Sequence, residues 1–70
     1  MKRYTIFYAG KFYGELDEWS GTRGLPNGAY VMFRGTGEFV QWFVIEQGTI
    51  AYLLDEDVPK ELQLWVLLLT

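Results

Sequence analysis

The side chains able to do chemistry in this chain of 70 residues are nine carboxylates, six Lys or Arg, five tyrosines and a few Ser and Thr hydroxyls; there is no cysteine and no histidine. That inventory excludes disulfides, metal sites built on thiolate or imidazole, and Ser-His or Cys-His nucleophilic machinery. Two carboxylate pairs have strand spacing that shares a face, Glu15 with Asp17 and Glu38 with Glu46. A close pair of this kind can divide acid and base roles. A domain this small seldom also encloses a pocket of several hundred Å³, so the expectation is a non-catalytic protein that uses no cofactor.

Two segments have the composition of a binding site. In the stretch 18–29, Arg23 stands between Gly21 and Gly24 with Trp19 and Leu25 nearby, and its guanidinium could reach a carboxylate, phosphate or base on a partner. The plainer reading is a solvated connection whose Trp19 and Leu25 plug the sheet edge. Further on, Asp55, Glu56, Asp57 and Glu61 gather four carboxylates within seven residues, which would favour a partner with a basic surface. They are equally what an acidic helix start looks like. Neither segment has the Gly-Lys-Ser/Thr of a phosphate loop or the alternating oxygen ligands and central glycine of a calcium loop.

Aromatic residues are the third feature. Tyr4, Tyr8, Phe12, Tyr13, Tyr30, Phe33, Trp42 and Tyr52 all fall on expected strands. A sheet face of rings and basic residues can stack single-stranded bases. With only six basic residues and a net charge of −3, nucleic acid is disfavoured, because neutralising phosphates normally dominates such affinity. Most of these rings are expected in the core, and any left on a solvent face would mark a protein interface or a homodimer seam.

The elements that must position these residues follow from period and turns. Tyr4–Tyr8 and Lys11–Asp17 flank a two-residue turn at Ala9 and Gly10, a hairpin that sets Phe7 against Phe12, Ile6 against Tyr13 and Lys2 against Asp17. Tyr30–Arg34 turns through Gly35, Thr36 and Gly37 into Glu38–Glu46, with Arg34 across from Glu38 and Phe33 across from Phe39. Gln47 and Gly48 make a second two-residue turn into Thr49–Leu54, pairing Ile45 with Ile50, Phe43 with Tyr52 and Trp42 with Leu53. The middle strand is apolar on both faces, Val40, Trp42 and Val44 on one and Phe39, Phe43 and Ile45 on the other, and so needs cover on both.

That cover is expected from a helix over 59–70. Asp57 or Val58 can cap it, Pro59 suits its first turn, and Glu61 places a negative charge near the positive end of the dipole. Helical spacing collects Lys60, Gln63, Leu67 and Thr70 on a solvent stripe and leaves Leu62, Leu64, Trp65, Val66, Leu68 and Leu69 to be buried. A buried sixth strand is the rival reading; five leucines among Lys, Glu and Gln favour the helix.

The expected fold is therefore mostly β: about five antiparallel strands in a meander, as a twisted sheet or open small barrel, with the C-terminal helix packed on it, in one compact domain spanning residues 1–70. Residues 1–35 carry five basic and three acidic side chains, residues 36–70 only Lys60 against six acids, so the molecule is electrically lopsided. The opening Met1, Lys2 and Arg3 lead into an alternating segment rather than a signal-peptide core, and the longest apolar run, Leu64–Leu69, is far short of the roughly 20 residues that span a bilayer. The expected setting is the cytoplasm, with no membrane partner. The expected function is stoichiometric binding of another protein through Trp19, Arg23 and Leu25, through Asp55, Glu56, Asp57 and Glu61, or through an aromatic face. Accessory inhibitors and adaptors of phages and mobile elements are comparable in size and composition. A self-associating structural module and a single-strand nucleic-acid binder are the alternatives.

Overall fold

A computed structural model describes residues 3–17, 21, 24–35 and 40–69, the last three by their backbone alone. Five strands, β1 (Arg3–Tyr8), β2 (Lys11–Leu16), β3 (Tyr30–Arg34), β4 (Val40–Glu46) and β5 (Thr49–Leu53), precede a one-turn 3-10 helix (Asp55–Asp57) and helix α1 (Lys60–Leu69). All strand pairs are antiparallel, and they form one open sheet in the order β2-β1-β3-β4-β5. The helix at the C-terminus is as expected. From β3 to β5 the sheet is a meander; at its start β3 lies beside β1, so the connection from β2 carries the chain past β1.

Both two-residue turns have positive φ at each central residue: 55° at Ala9 and 76° at Gly10, then 49° at Gln47 and 78° at Gly48. This left-handed pair matches the right-handed twist of the flanking strands, which is why so short a loop suffices. The second hairpin has the expected register, with Ile45 on Ile50, Phe43 on Tyr52 and Trp42 on Leu53. In the first, Phe7 pairs with Phe12 as expected, but Ile6 pairs with Gly14 rather than Tyr13, because a β-bulge inserts one extra residue in β2. The bulge has a packing reason. It moves Leu16 opposite Tyr4 on an apolar face and Glu15 opposite Thr5 on the other, where Glu15 Oε1 lies 2.9 Å from Arg3 Nε. The expected Lys2–Asp17 pair lies outside the described residues.

The β3–β4 register also differs from expectation: Arg34 pairs with Val40 and Phe33 with Gln41, two residues on. A shift of two preserves the faces, so alternation could not distinguish the registers. Burial decides. Pairing Arg34 with Glu38 would set Gln41 against the fully buried Val31. In the observed register Val31 meets Phe43, while Gln41 Nε2 donates to the carbonyls of Trp42 at 3.1 Å and Leu53 at 3.3 Å. An exposed Arg–Glu pair contributes at most about 1 kcal/mol, less than stranding a buried amide costs. Glu38 and Phe39 lie outside the described residues.

Each face of the sheet has its own apolar layer. On one, Phe7, Met32 and Trp42 are covered by Val58 and Leu62, with Trp65 and Val66 half-buried beside them. Phe7 is the hub, its ring centroid 5.8 Å from Trp42 and 5.4 Å from Trp65. On the opposite face Ile6, Ala29, Val31 and Ile45 pack with Tyr4, Leu25 and Phe43. The end of the β2–β3 connection supplies this second cover and is pinned to β4, Gly28 N–H donating to Ile45 O at 2.7 Å and Ile45 N–H to Ala29 O at 2.9 Å.

The start of α1 departs from the expected cap. Asp57 belongs to the 3-10 turn and Val58 is buried in the core. The junction is instead tied from within the helix, the Gln63 amide donating to Asp55 O at 2.8 Å and Val58 O at 3.0 Å. Leu64, expected in the core, is 59% exposed, because Leu62, Trp65 and Val66 take the sheet-facing side and Leu64, turned away from it, only borders the cleft beside α1.

A non-glycine residue is strained in the left-handed region, and asparagine tolerates it best. Ala9→Asn and Gln47→Asn are each expected to raise unfolding free energy by about 0.5–1 kcal/mol. Urea denaturation monitored by tryptophan fluorescence would read this as a higher midpoint at unchanged slope.

Candidate functional site

The described residues bring together only part of what the sequence singled out. Trp19 and Arg23 lie outside them. Leu25 is half-buried and packs on the layer of Ile6, Ala29, Val31 and Ile45. Asp55, Glu56, Asp57 and Glu61 are all exposed. They are not gathered into one point: among the described residues no three carboxylates are close enough to hold a metal ion. Asp55–Asp57 face solvent at the end of β5, whereas a Glu61 oxygen sits 3.7 Å from where a side chain on Gly10 would begin, beside the first hairpin turn. Of the carboxylate pairs, Glu15 is engaged by Arg3 at 2.9 Å, Asp17 is exposed, and Glu38 is outside the described residues.

The aromatics divide by face. Phe12, Tyr30 and Trp42 are on the helix side, where Phe12 reaches Trp65 at 6.3 Å between centroids. Tyr4, Tyr8, Tyr13, Phe33, Phe43 and Tyr52 share the opposite side. There they form three pairs: Tyr4 with Phe33 at 4.9 Å, Tyr8 with Tyr13 edge-to-face at 6.1 Å, and Phe43 with Tyr52 edge-to-face at 6.1 Å. Leu25 and Ala29 cover the middle of this face and leave its two flanks open. Tyr8 and Tyr13 are 42% and 52% exposed on one flank; Ile50 and Tyr52 are 39% and 66% exposed on the other.

Two clefts adjoin the 3-10 turn. One, of about 530 Å³, runs between the sheet and α1 and is walled by Val40, Trp42, Asp55, Lys60, Leu64 and Val66. The other, about 410 Å³, lies below β5 against Val40, Gln41, Tyr52, Leu54, Asp55 and Glu56. Its lining sets Tyr52 and Leu54 beside the carboxylates of Asp55 and Glu56. Sequence reasoning missed Ile50 and Leu54 as surface residues. Their exposure follows from the strand order, which places β5 on an edge of the sheet.

No known protein-family model, curated protein or solved structure matches this chain. No helix among the described residues is long and apolar enough to cross a membrane.

One buried polar group stands apart from these surfaces. Thr5 is 1% exposed, on the helix side of β1 opposite Met32, and its hydroxyl has no hydrogen-bond partner among the described residues. A buried hydroxyl without a partner costs about 1–3 kcal/mol of desolvation. Thr5→Val is therefore expected to stabilise the fold by about 1 kcal/mol in urea denaturation, and a loss of stability would show that the hydroxyl is bonded in solution.

Proposed function

We propose that this protein is a non-catalytic binding module that acts stoichiometrically on another protein, as an inhibitor or adaptor of the cytoplasm. One observation carries the reading: Tyr8, Tyr13 and Tyr52 stand exposed on one sheet face of a chain of only 70 residues. A 70-residue domain is near the lower limit of independent stability, and its large rings are worth most when buried. Rings kept outside are the residues from which interface hot spots are built, since tyrosine gives wide contact at low entropic cost and carries a hydroxyl for its partner. Exposed Asp55, Glu56 and Asp57 add an acidic margin next to Tyr52, which favours a partner with basic residues.

The test is affinity capture from cell lysate with the intact chain and with a variant in which Tyr8, Tyr13 and Tyr52 are all serine. These side chains are 42%, 52% and 66% exposed and lie in ring pairs, so the variant loses some packing, and circular dichroism with urea denaturation establishes that it is folded before capture is compared. The expected result is one protein retained at fixed stoichiometry by the parent and lost by the variant. Recovery of the chain alone, with a concentration-dependent dimer in sedimentation, would replace this reading by self-association.

A further inference from the structure

The open sheet has two edges, and they differ in kind. The β2 edge is interrupted by the bulge at Tyr13, contains Gly14, and carries Lys11 and Glu15. Bulges and charges of this sort are how an edge is kept from pairing with another chain. The β5 edge has none of them: Thr49, Ile50, Ala51, Tyr52 and Leu53 include no charge, proline or glycine and run in regular register along β4. After a two-residue turn, Glu46 and Thr49 exchange ladder bonds, and alternation then directs Thr49, Ala51 and Leu53 toward β4. The N–H and C=O groups of Ile50 and Tyr52 point outward, where no strand among the described residues pairs with them.

We propose that this edge accepts an extended segment of a partner protein as a sixth strand, and that the segment carries a Lys or Arg for the cleft at the end of β5. The inference rests on the protein-binding reading and names its element and the partner's chemistry. Backbone pairing to Ile50 and Tyr52 supplies affinity, and alternate apolar side chains of the added strand extend the surface of Phe43, Ile50 and Tyr52. Charge selects the occupant. From Glu46 to Asp57 the charged residues are Glu46, Asp55, Glu56 and Asp57; Lys60 follows and lines the other cleft, between the sheet and α1, with Asp55. Antiparallel addition of a second copy would lay the 55–57 turn of each beside Glu46 of the other, carboxylate against carboxylate. A basic segment meets the opposite field: its aliphatic stem lies on Tyr52 and Leu54 and its cationic head reaches Asp55 and Glu56.

A displayed library of random decapeptides, panned on the immobilised full chain, tests this. Enriched sequences should alternate apolar residues and carry Lys or Arg near an end, and their binding should shift the Ile50 and Tyr52 amide resonances. Tyr52→Pro removes an outward N–H and no bond to β4, a position where an edge strand tolerates proline; it should weaken binding at least about tenfold. Asp55→Lys combined with Glu56→Lys, both exposed, should do the same at low salt and provides the test should the proline variant not fold. Enriched peptides without basic residues, or peptides indifferent to both variants, would overturn the inference. So would a dimer abolished by Tyr52→Pro, which would make the occupant a second copy. A lysate protein still captured by a folded Tyr52→Pro variant but lost by the triple serine variant would leave the binding function standing and remove the β5 edge as its route.

Discussion

Val40, Trp42 and Val44 point to one side of β4, and Phe43 and Ile45 to the other, so the centre of the sheet must be kept from water on both faces at once. Among the described residues one α-helix and the end of the β2–β3 connection provide this cover. The helix takes the side of Phe7, Met32 and Trp42 and seals it with Leu62, together with Val58 from just before the helix. The connection into β3 takes the side of Ile6, Val31 and Ile45, with Leu25 and Ala29 as its seal. Each large side chain buried in these layers contributes about 1.5–3 kcal/mol, and net stability in a domain of this size is of the same order as a few of them. Turn geometry, the bulge that redirects Leu16 and Glu15, and the register that frees Gln41 from the buried centre all serve this two-sided cover.

The second cover is narrower than the face it protects. The end of the β2–β3 connection, with Leu25 and Ala29, shields the middle and leaves Tyr8 with Tyr13 on one flank and Ile50 with Tyr52 on the other. The acidic turn after β5 adds charge of one sign where the apolar flank meets the strand edge. Exposed rings and carboxylates lie together at β5, beside backbone groups that no strand among the described residues pairs with.

Alternation and turn residues were enough to read the five strands, the second hairpin register and the helix, because each rests on local chemistry: Ala9 with Gly10, Gln47 with Gly48, and Pro59 ahead of a leucine-rich run. The two register differences have a shared cause. The bulge at Tyr13 and the two-residue shift at Arg34 are settled by which side chains end up buried beneath the helix and the connection, and cross-strand pairing of exposed charges is too weak to decide between them. Leu64 was misplaced because nearly every position around the final turns of α1 is apolar, so helical spacing leaves the buried side undetermined. Of the candidate site, the acidic turn was legible as a charge run, but its partnership with Tyr52 was not, since that depends on β5 being the last strand of the sheet.

Amide hydrogen exchange along β5 tests most directly whether that edge is open to a partner. Slow exchange is expected at Ala51 and Leu53, whose N–H groups bond to β4, and fast exchange at Ile50 and Tyr52, whose groups face outward. Uniform protection from residue 49 to 53 would contradict this, because the outer side of the strand would then already be covered in the free protein.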